Sequence, residues 1–220
     1  MIDKQTNFSE SKFWRFVNLA GNALGANMLF ILCCIPIITI GPATCGLYSA
    51  VRYLIRKDSW FQGFWEGFKK NFVRTALAGI VCVGMMVYLL LNFNLALNFY
   101  VDTGAISPAV VYGVAMLFPT LIAAALWPLN IYIPYDFSDW LKNAVNLIVK
   151  APYWVLASAV LWWAPVFLIL YYLDITLGFL IVFIAVYFTL TVFVSTIVLK
   201  NSLIDFLEQY RLTHPQEEEL

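Results

Sequence analysis

Few side chains in this chain are able to do chemistry. There is one histidine, His214, and it lies in the C-terminal tail. Four cysteines, Cys33, Cys34, Cys45 and Cys82, all fall in apolar sequence. Adjacent Cys33 and Cys34 have no metal-site spacing, so the thiols read as small core residues rather than disulfides or zinc ligands. Ser158, Ser195 and Cys34 are the available nucleophiles. Each would need a neighbouring base, and no histidine or carboxylate lies at comparable depth in the sequence pattern. Asp102 and Asp174 stand at the ends of apolar runs and read as solvated loop carboxylates ahead of a paired acid and base. No glycine-rich phosphate loop occurs, so this chain is not the motor of an ATP-driven transporter. We therefore expect no catalytic residues, no metal ligands and no cofactor site.

Amides and hydroxyls are the polar groups that do occur within apolar sequence. Asn18, Asn22 and Asn27 share one run, and Asn92, Asn94 and Asn98 another. Such groups ordinarily hydrogen-bond between helices, at roughly 0.6 to 2 kcal/mol each. The sharper alternative is a path for a neutral polar solute, with Trp127, Trp154, Trp162 or Trp163 as stacking surfaces. Tryptophans near the ends of membrane spans more often anchor the interface.

The elements that must carry these residues follow from the charge pattern. Of 220 residues 62% are hydrophobic and 12% charged, whereas soluble domains carry about a quarter charged. Five windows hold no Asp, Glu, Lys, Arg or His: Phe16 to Val51, Thr75 to Val101, Thr103 to Tyr135, Ala151 to Leu173 and Ile175 to Leu199. Each is long enough for the ~20 residues that a bilayer core requires. A proton-coupled pump is disfavoured, since intramembrane ionisable groups are its usual mark. The first window reads as a retained span and not a cleaved signal, because a largely polar and charged segment of fifteen residues precedes it and four more windows follow. Zero net charge argues against a nucleic-acid partner.

The first window is too long for one span and is interrupted by Pro36 and Gly41-Pro42. It reads as a helical hairpin, with a first arm from about Trp14 to Ile38, a tight outer turn at Gly41-Pro42, and a short second arm, Pro42 to Arg56. Pro119, Pro128 and Pro134 interrupt the third window. If the first window crosses twice, all thirteen basic residues lie on one side; if it crosses once, they split ten to three. Cytoplasmic loops gather Lys and Arg. The expected fold is therefore all-α, a polytopic transmembrane bundle of six crossings with both termini cytoplasmic, or five crossings if the second arm is re-entrant.

Between the spans, residues 59 to 72 place Trp60, Phe61, Phe64, Trp65, Phe68 and Phe72 on one helical face, with Gln62, Glu66, Lys69 and Lys70 opposite. This suits an interfacial helix, or one packed against the end of the bundle. Asp139 to Lys150 repeats the pattern, with Trp140, Leu141, Ala144, Val145, Leu147 and Ile148 on its apolar face, and Leu203 to Tyr210 repeats it again. The expected order is a single membrane domain, 1–220: a cytoplasmic N-terminus (1–15), first hairpin (16–56), interfacial helix (57–74), second span pair (75–135), interfacial helix (136–150), third span pair (151–199) and amphipathic tail (200–220). The eighty-residue offset of Trp60 and Lys70 from Trp140 and Lys150 fits either a tandem repeat or convergent helix patterning.

The run FWRFVNLAGNALGANMLFILCCIPIITIGPATCGLYSAVRYLIR, Phe13 to Arg56, resembles the amino-terminal signature of the YesL-like family of bacterial integral membrane proteins. The GPAT segment, Gly41 to Thr44, is its most specific part, and the following FQGFWEGFKKNF fits the same family pattern. The resemblance implies the bacterial cytoplasmic membrane and an accessory role beside carbohydrate ABC importers; it carries over no catalytic or binding residues. The expected partners are the lipid bilayer and importer subunits or further copies of this chain. The alternative is a small permease or channel for neutral polar solutes such as oligosaccharides.

Overall fold

The computed structural model describes residues 12–132, 137–171 and 187–197, together with positions 204 and 208. Every regular element among them is helical. The expected tail helix lies otherwise outside these residues, as do Pro134, Asp174, His214 and much of the fifth apolar window.

Helix α1 (Lys12–Cys34) stops two residues before Pro36, whose ring disfavours helical geometry in the residue ahead of it. A 3₁₀ turn, Ile37–Thr39, leads into α2 (Ile40–Arg56). Here the expected turn moves. The chain reverses over Ile35–Thr39, and Gly41-Pro42 belongs to the first turn of α2, where proline's missing N–H has no intrahelical acceptor to lose. Every residue from Gly41 to Val51 is buried, so α2 is the centre of the described fold and not a lipid-facing arm.

Helix α2 ends at Lys57, which adopts a left-handed conformation (φ 63°), its N–H donating to the carbonyl of Leu54 at 3.1 Å. Helix α3 (Trp60–Lys69) returns along α2. Small residues set that approach: a Cβ on Gly63 would strike the Tyr53 side chain, and one on Gly46 would lie 3.0 Å from the Phe64 carbonyl oxygen. Asn71, also left-handed (φ 55°), turns the chain into α4 (Phe72–Thr103); asparagine tolerates this conformation better than most residues. Thirty-two residues make α4 about 48 Å long.

After Gly104 (φ 74°) the chain returns as α5 (Ser107–Ala115) and α6 (Leu117–Tyr132). The break at Met116 precedes Pro119, and Pro128 sits inside α6. The return is antiparallel to α4 along its length: Gly113 lies beside Phe93 near one end, and Asn130 beside Asn71 at the other. Helices α7 (Phe137–Lys150) and α8 (Pro152–Tyr171) meet at Ala151, with a bend of 105° between Asp139–Lys150 and Pro152–Trp162. A further apolar helix, α9 (Tyr187–Ile197), packs between α1, α2 and α8.

Three stretches among the described residues are long and apolar enough to cross a membrane: Val17–Cys34, Phe72–Thr103 and Ser107–Ile131; the bent α7–α8 pair makes at most a fourth. The expected aromatic faces divide. On α3, Phe64 is fully buried, Trp65 and Phe68 are half-buried and Phe61 is exposed. On α7, Trp140, Ala144 and Leu147 face the core while Leu141 and Val145 do not. A face wider than one neighbour can cover is shared between the core and whatever surrounds the protein.

Candidate functional site

Three polar clusters tie the helices together, and a cavity lies among them. In the first cluster, Ser158 Oγ on α8 lies 2.5 Å from Ser195 Oγ on α9, and Ser195 Oγ lies 3.2 Å from the Tyr48 hydroxyl on α2. All three residues are buried. The candidate nucleophiles Ser158 and Ser195 thus bond to each other and to a phenol, an arrangement that cross-links three helices and offers neither hydroxyl a base. Cys34 is half-buried and takes no part in this cluster. Tyr48 was not singled out from sequence because a tyrosine in an apolar window has no local signal of its partner 147 residues away.

In the second cluster, Asn27 on α1 is fully buried and its Oδ1 accepts the Thr189 backbone N–H at 3.1 Å. The Thr189 hydroxyl donates to the carbonyl of Ala23 at 3.1 Å. Asn27 therefore acts as interhelical glue between α1 and α9. Asn18, Asn22, Asn94 and Asn98 are exposed, and Asn92 donates to its own helix at Tyr88 O, 2.8 Å away. The six asparagines do not converge on one path.

In the third cluster, the junction of α3 and α4 meets the end of α6. Lys70 Nζ donates to the Ile131 carbonyl at 3.0 Å, Asn71 Nδ2 to Asn130 Oδ1 at 3.2 Å, and Asn130 Nδ2 to Cys45 Sγ at 3.4 Å. Nearby, Tyr53 donates to Glu66, and Arg52 Nη2 lies 4.0 Å from Glu66 Oε1. Burial pushes the Lys70 ammonium below its ordinary pKa and the Arg52 charge adds to this, while Glu66 and Cys45 pull the other way. Lys70, placed by the sequence on the polar face opposite the aromatic stripe, closes the end of α6, whose last carbonyls have no donors of their own.

The cavity, about 190 Å³, lies between α2, α4, α6 and α8. Ile40, Cys82, Met86, Pro119, Trp127 and Trp162 are among its walls. Its hydroxyls, Thr44 and Thr120, donate to Ile40 O at 2.7 Å and to Leu117 O and Met116 O at 2.8 and 2.9 Å. With those protons engaged, the walls present chiefly apolar surface. Of the four candidate tryptophans, Trp127 and Trp162 reach the cavity, Trp154 is exposed on α8, and the side chain of Trp163 lies outside the described residues. Among the described residues no three His, Cys, Asp or Glu groups gather as a metal site.

Long apolar helices joined through buried amides and hydroxyls, with large aliphatic side chains outward, define a helical membrane protein. Residues 24–93 match the family described as "Protein of unknown function, DUF624", which bears out the YesL-like resemblance carried by Phe13 to Arg56 and the aromatic segment after it. The match spans the second half of α1, all of α2 and α3, and α4 as far as Phe93. No curated protein and no solved structure matches the chain.

Proposed function

We propose that this protein is a non-enzymatic accessory component of the bacterial cytoplasmic membrane, with its termini and basic segments on the cytoplasmic side, acting beside a carbohydrate ABC importer. One observation supports the reading most: the α2–α3 pair is clamped at glycine contacts and holds Phe61, Gln62, Glu66 and Lys69 outward, with Lys57 and Asp58 exposed at its tip. A rigid surface that mixes an exposed aromatic ring with charges of both signs suits docking to another protein, where preorganised aromatic anchors supply much of the binding energy. The importer as partner rests on the family resemblance.

The test is crosslinking and affinity purification from native membranes in mild detergent. Importer permease or solute-binding subunits are expected to co-elute with the wild type and to be lost with Phe61→Ser. Undiminished co-elution of the same subunits with that variant sinks the proposed face. A second reading, passage of neutral solutes, draws on the cavity between α2, α4, α6 and α8. It requires that the protein reconstituted alone move a labelled oligosaccharide into liposomes; no flux above that of empty vesicles ends it.

A further inference from the structure

The depth of the first hairpin relative to α4 bears on how the chain enters the membrane. Gly41 lies against the Thr75 carbonyl and within 3.3 Å, measured from its would-be Cβ, of the Gly79 Cα. Ile40 and Thr44 share the cavity with Gly79, Cys82, Val83 and Met86. Cys45, one residue further along α2, already meets Asn130, which bonds Asn71 just before α4 begins. Only the first turn or so of α2 therefore runs beside α4, and the rest pairs with α3 beyond the start of α4. From Gly79 to Thr103 the helix rises about 36 Å, while Ile38 is three residues from Gly41 and can reach at most about 11 Å from it. The tip of the hairpin is thus more than about 20 Å from the far end of α4.

That tip is nonetheless apolar and open. Leu32, Ile35, Ile37 and Ile38 are 62%, 74%, 63% and 56% exposed. Leu77, Ile80 and Val81, on the turns of α4 that Gly41 approaches, also face outward. The turn satisfies much of its own backbone: Ile35 N–H donates to Leu32 O at 3.3 Å, Thr39 N–H to Pro36 O at 3.0 Å, and the Ile40 N–H to Ile37 O. Thr39 Oγ1 lies 2.5 Å from Cys33 O and 2.7 Å from Pro36 O, so its proton is spent on carbonyls that water would otherwise serve. These bonds return several of the turn's polar groups to one another beneath exposed isoleucines, which lowers the cost of placing the turn in apolar surroundings.

We propose that α1 and α2 form a re-entrant hairpin that enters and leaves the bilayer on the basic side, with Leu32, Ile35, Ile37 and Ile38 in contact with lipid acyl chains. Four expected crossings remain: α4, α5–α6, and the two that the charge-free windows Ala151 to Leu173 and Ile175 to Leu199 predict from sequence. A hairpin that never crosses leaves all thirteen basic residues on one side, as one that crosses twice would. The charge pattern alone does not separate the two; the place of the tip beside the first half of α4 supports the re-entrant form.

Single cysteines introduced into the full-length protein test this. Cys33, Cys34 and Cys82 are replaced by serine, buried Cys45 is kept, and Ile38→Cys, Asp102→Cys and Asp58→Cys are added one at a time. A membrane-impermeant maleimide is applied to intact spheroplasts and to inverted vesicles. Asp102→Cys and Asp58→Cys are expected to label from opposite faces, and Ile38→Cys to resist the reagent on the Asp102 face, reacting only from the Asp58 face or after detergent. Labelling of Ile38→Cys from the Asp102 face overturns the proposal, as does labelling of Asp102→Cys and Asp58→Cys from one face. Should Ile38→Cys fail to accumulate, Ile35→Cys, the most exposed residue of the tip, gives the same reading.

Discussion

Gly67 on α3 rests directly on Cys45 of α2: a Cβ at Gly67 would lie 2.7 Å from the Cys45 carbonyl oxygen and 2.5 Å from the Ser49 Cβ. Neither obstacle is the far end of a flexible side chain, so the two helices would have to part. Gly67→Ala is expected to cost about 1–3 kcal/mol, the usual penalty for overpacking a close contact. Gly84, on the same chain but in α4, has nothing within 4 Å of its would-be Cβ. Gly84→Ala is expected to gain about 0.5–1 kcal/mol, because only the backbone entropy term remains. Thermal unfolding in detergent, followed by size-exclusion of the heated protein, should shift the two midpoints in opposite directions.

The aromatic face of α3 predicts a second contrast. Phe64 is fully buried and stacks on Phe68 with ring centroids 6.0 Å apart, whereas Phe61 is 52% exposed. Phe64→Ser should destabilise by about 3–5 kcal/mol, as large core truncations do, and reduce accumulation in the membrane. Phe61→Ser should leave the unfolding midpoint within about 0.5 kcal/mol of wild type, in line with a surface change. Equal loss from both would show that Phe61 is part of the core.

Asn27 carries a third. Asn27→Leu removes the acceptor for the Thr189 N–H and places an apolar group against a buried donor. A loss of about 1–3 kcal/mol is expected from the unsatisfied group. Asn18→Leu, at an exposed position on the same helix, should have no comparable effect. Chemical denaturation of the two variants side by side in one detergent measures the difference.

Lys70 gives a pH dependence. Its pKa in the folded protein is lowered, first by burial and then by Arg52, from an ordinary value of 10.5. Between the lowered value and 10.5 the unfolded chain binds more protons than the folded one, so stability rises with pH across that window. Lys70→Met, which keeps the length of the stem but not the charge, should abolish this rise. A wild-type midpoint that falls through the same window, in a protein otherwise intact, would contradict the sign.

How far the sequence could be read varies element by element. The charge-free windows announced α4 and the α5–α6 return, since a span must exclude charge along its entire length and that requirement is visible residue by residue. Amphipathic spacing announced α3 and α7, but not how their apolar faces would divide, because one stripe of residues is written the same way whether it meets a helix or lipid. Gly41-Pro42 was legible as a break and misplaced as the turn, since proline is equally at home in a loop and in the first turn of a helix. Asn27 was one of three asparagines in its apolar run and Asn130 had no signal that set it apart; their partners, Thr189 and Cys45, lie 162 and 85 residues away and carry no matching mark.

The sequence by itself determined that this is a helical membrane protein, because the bilayer tests every residue of a span for charge and every backbone group for a partner. Only the tertiary structure decided that α2 is the buried centre, that Lys70 serves α6, and that the first hairpin lies beside the near end of α4. These depend on which helix stands next to which. In hydrocarbon, where apolar residues gain no hydrophobic drive towards one another, that choice rests on the fit of small residues and a few buried hydrogen bonds, which are defined only once both partners are in place.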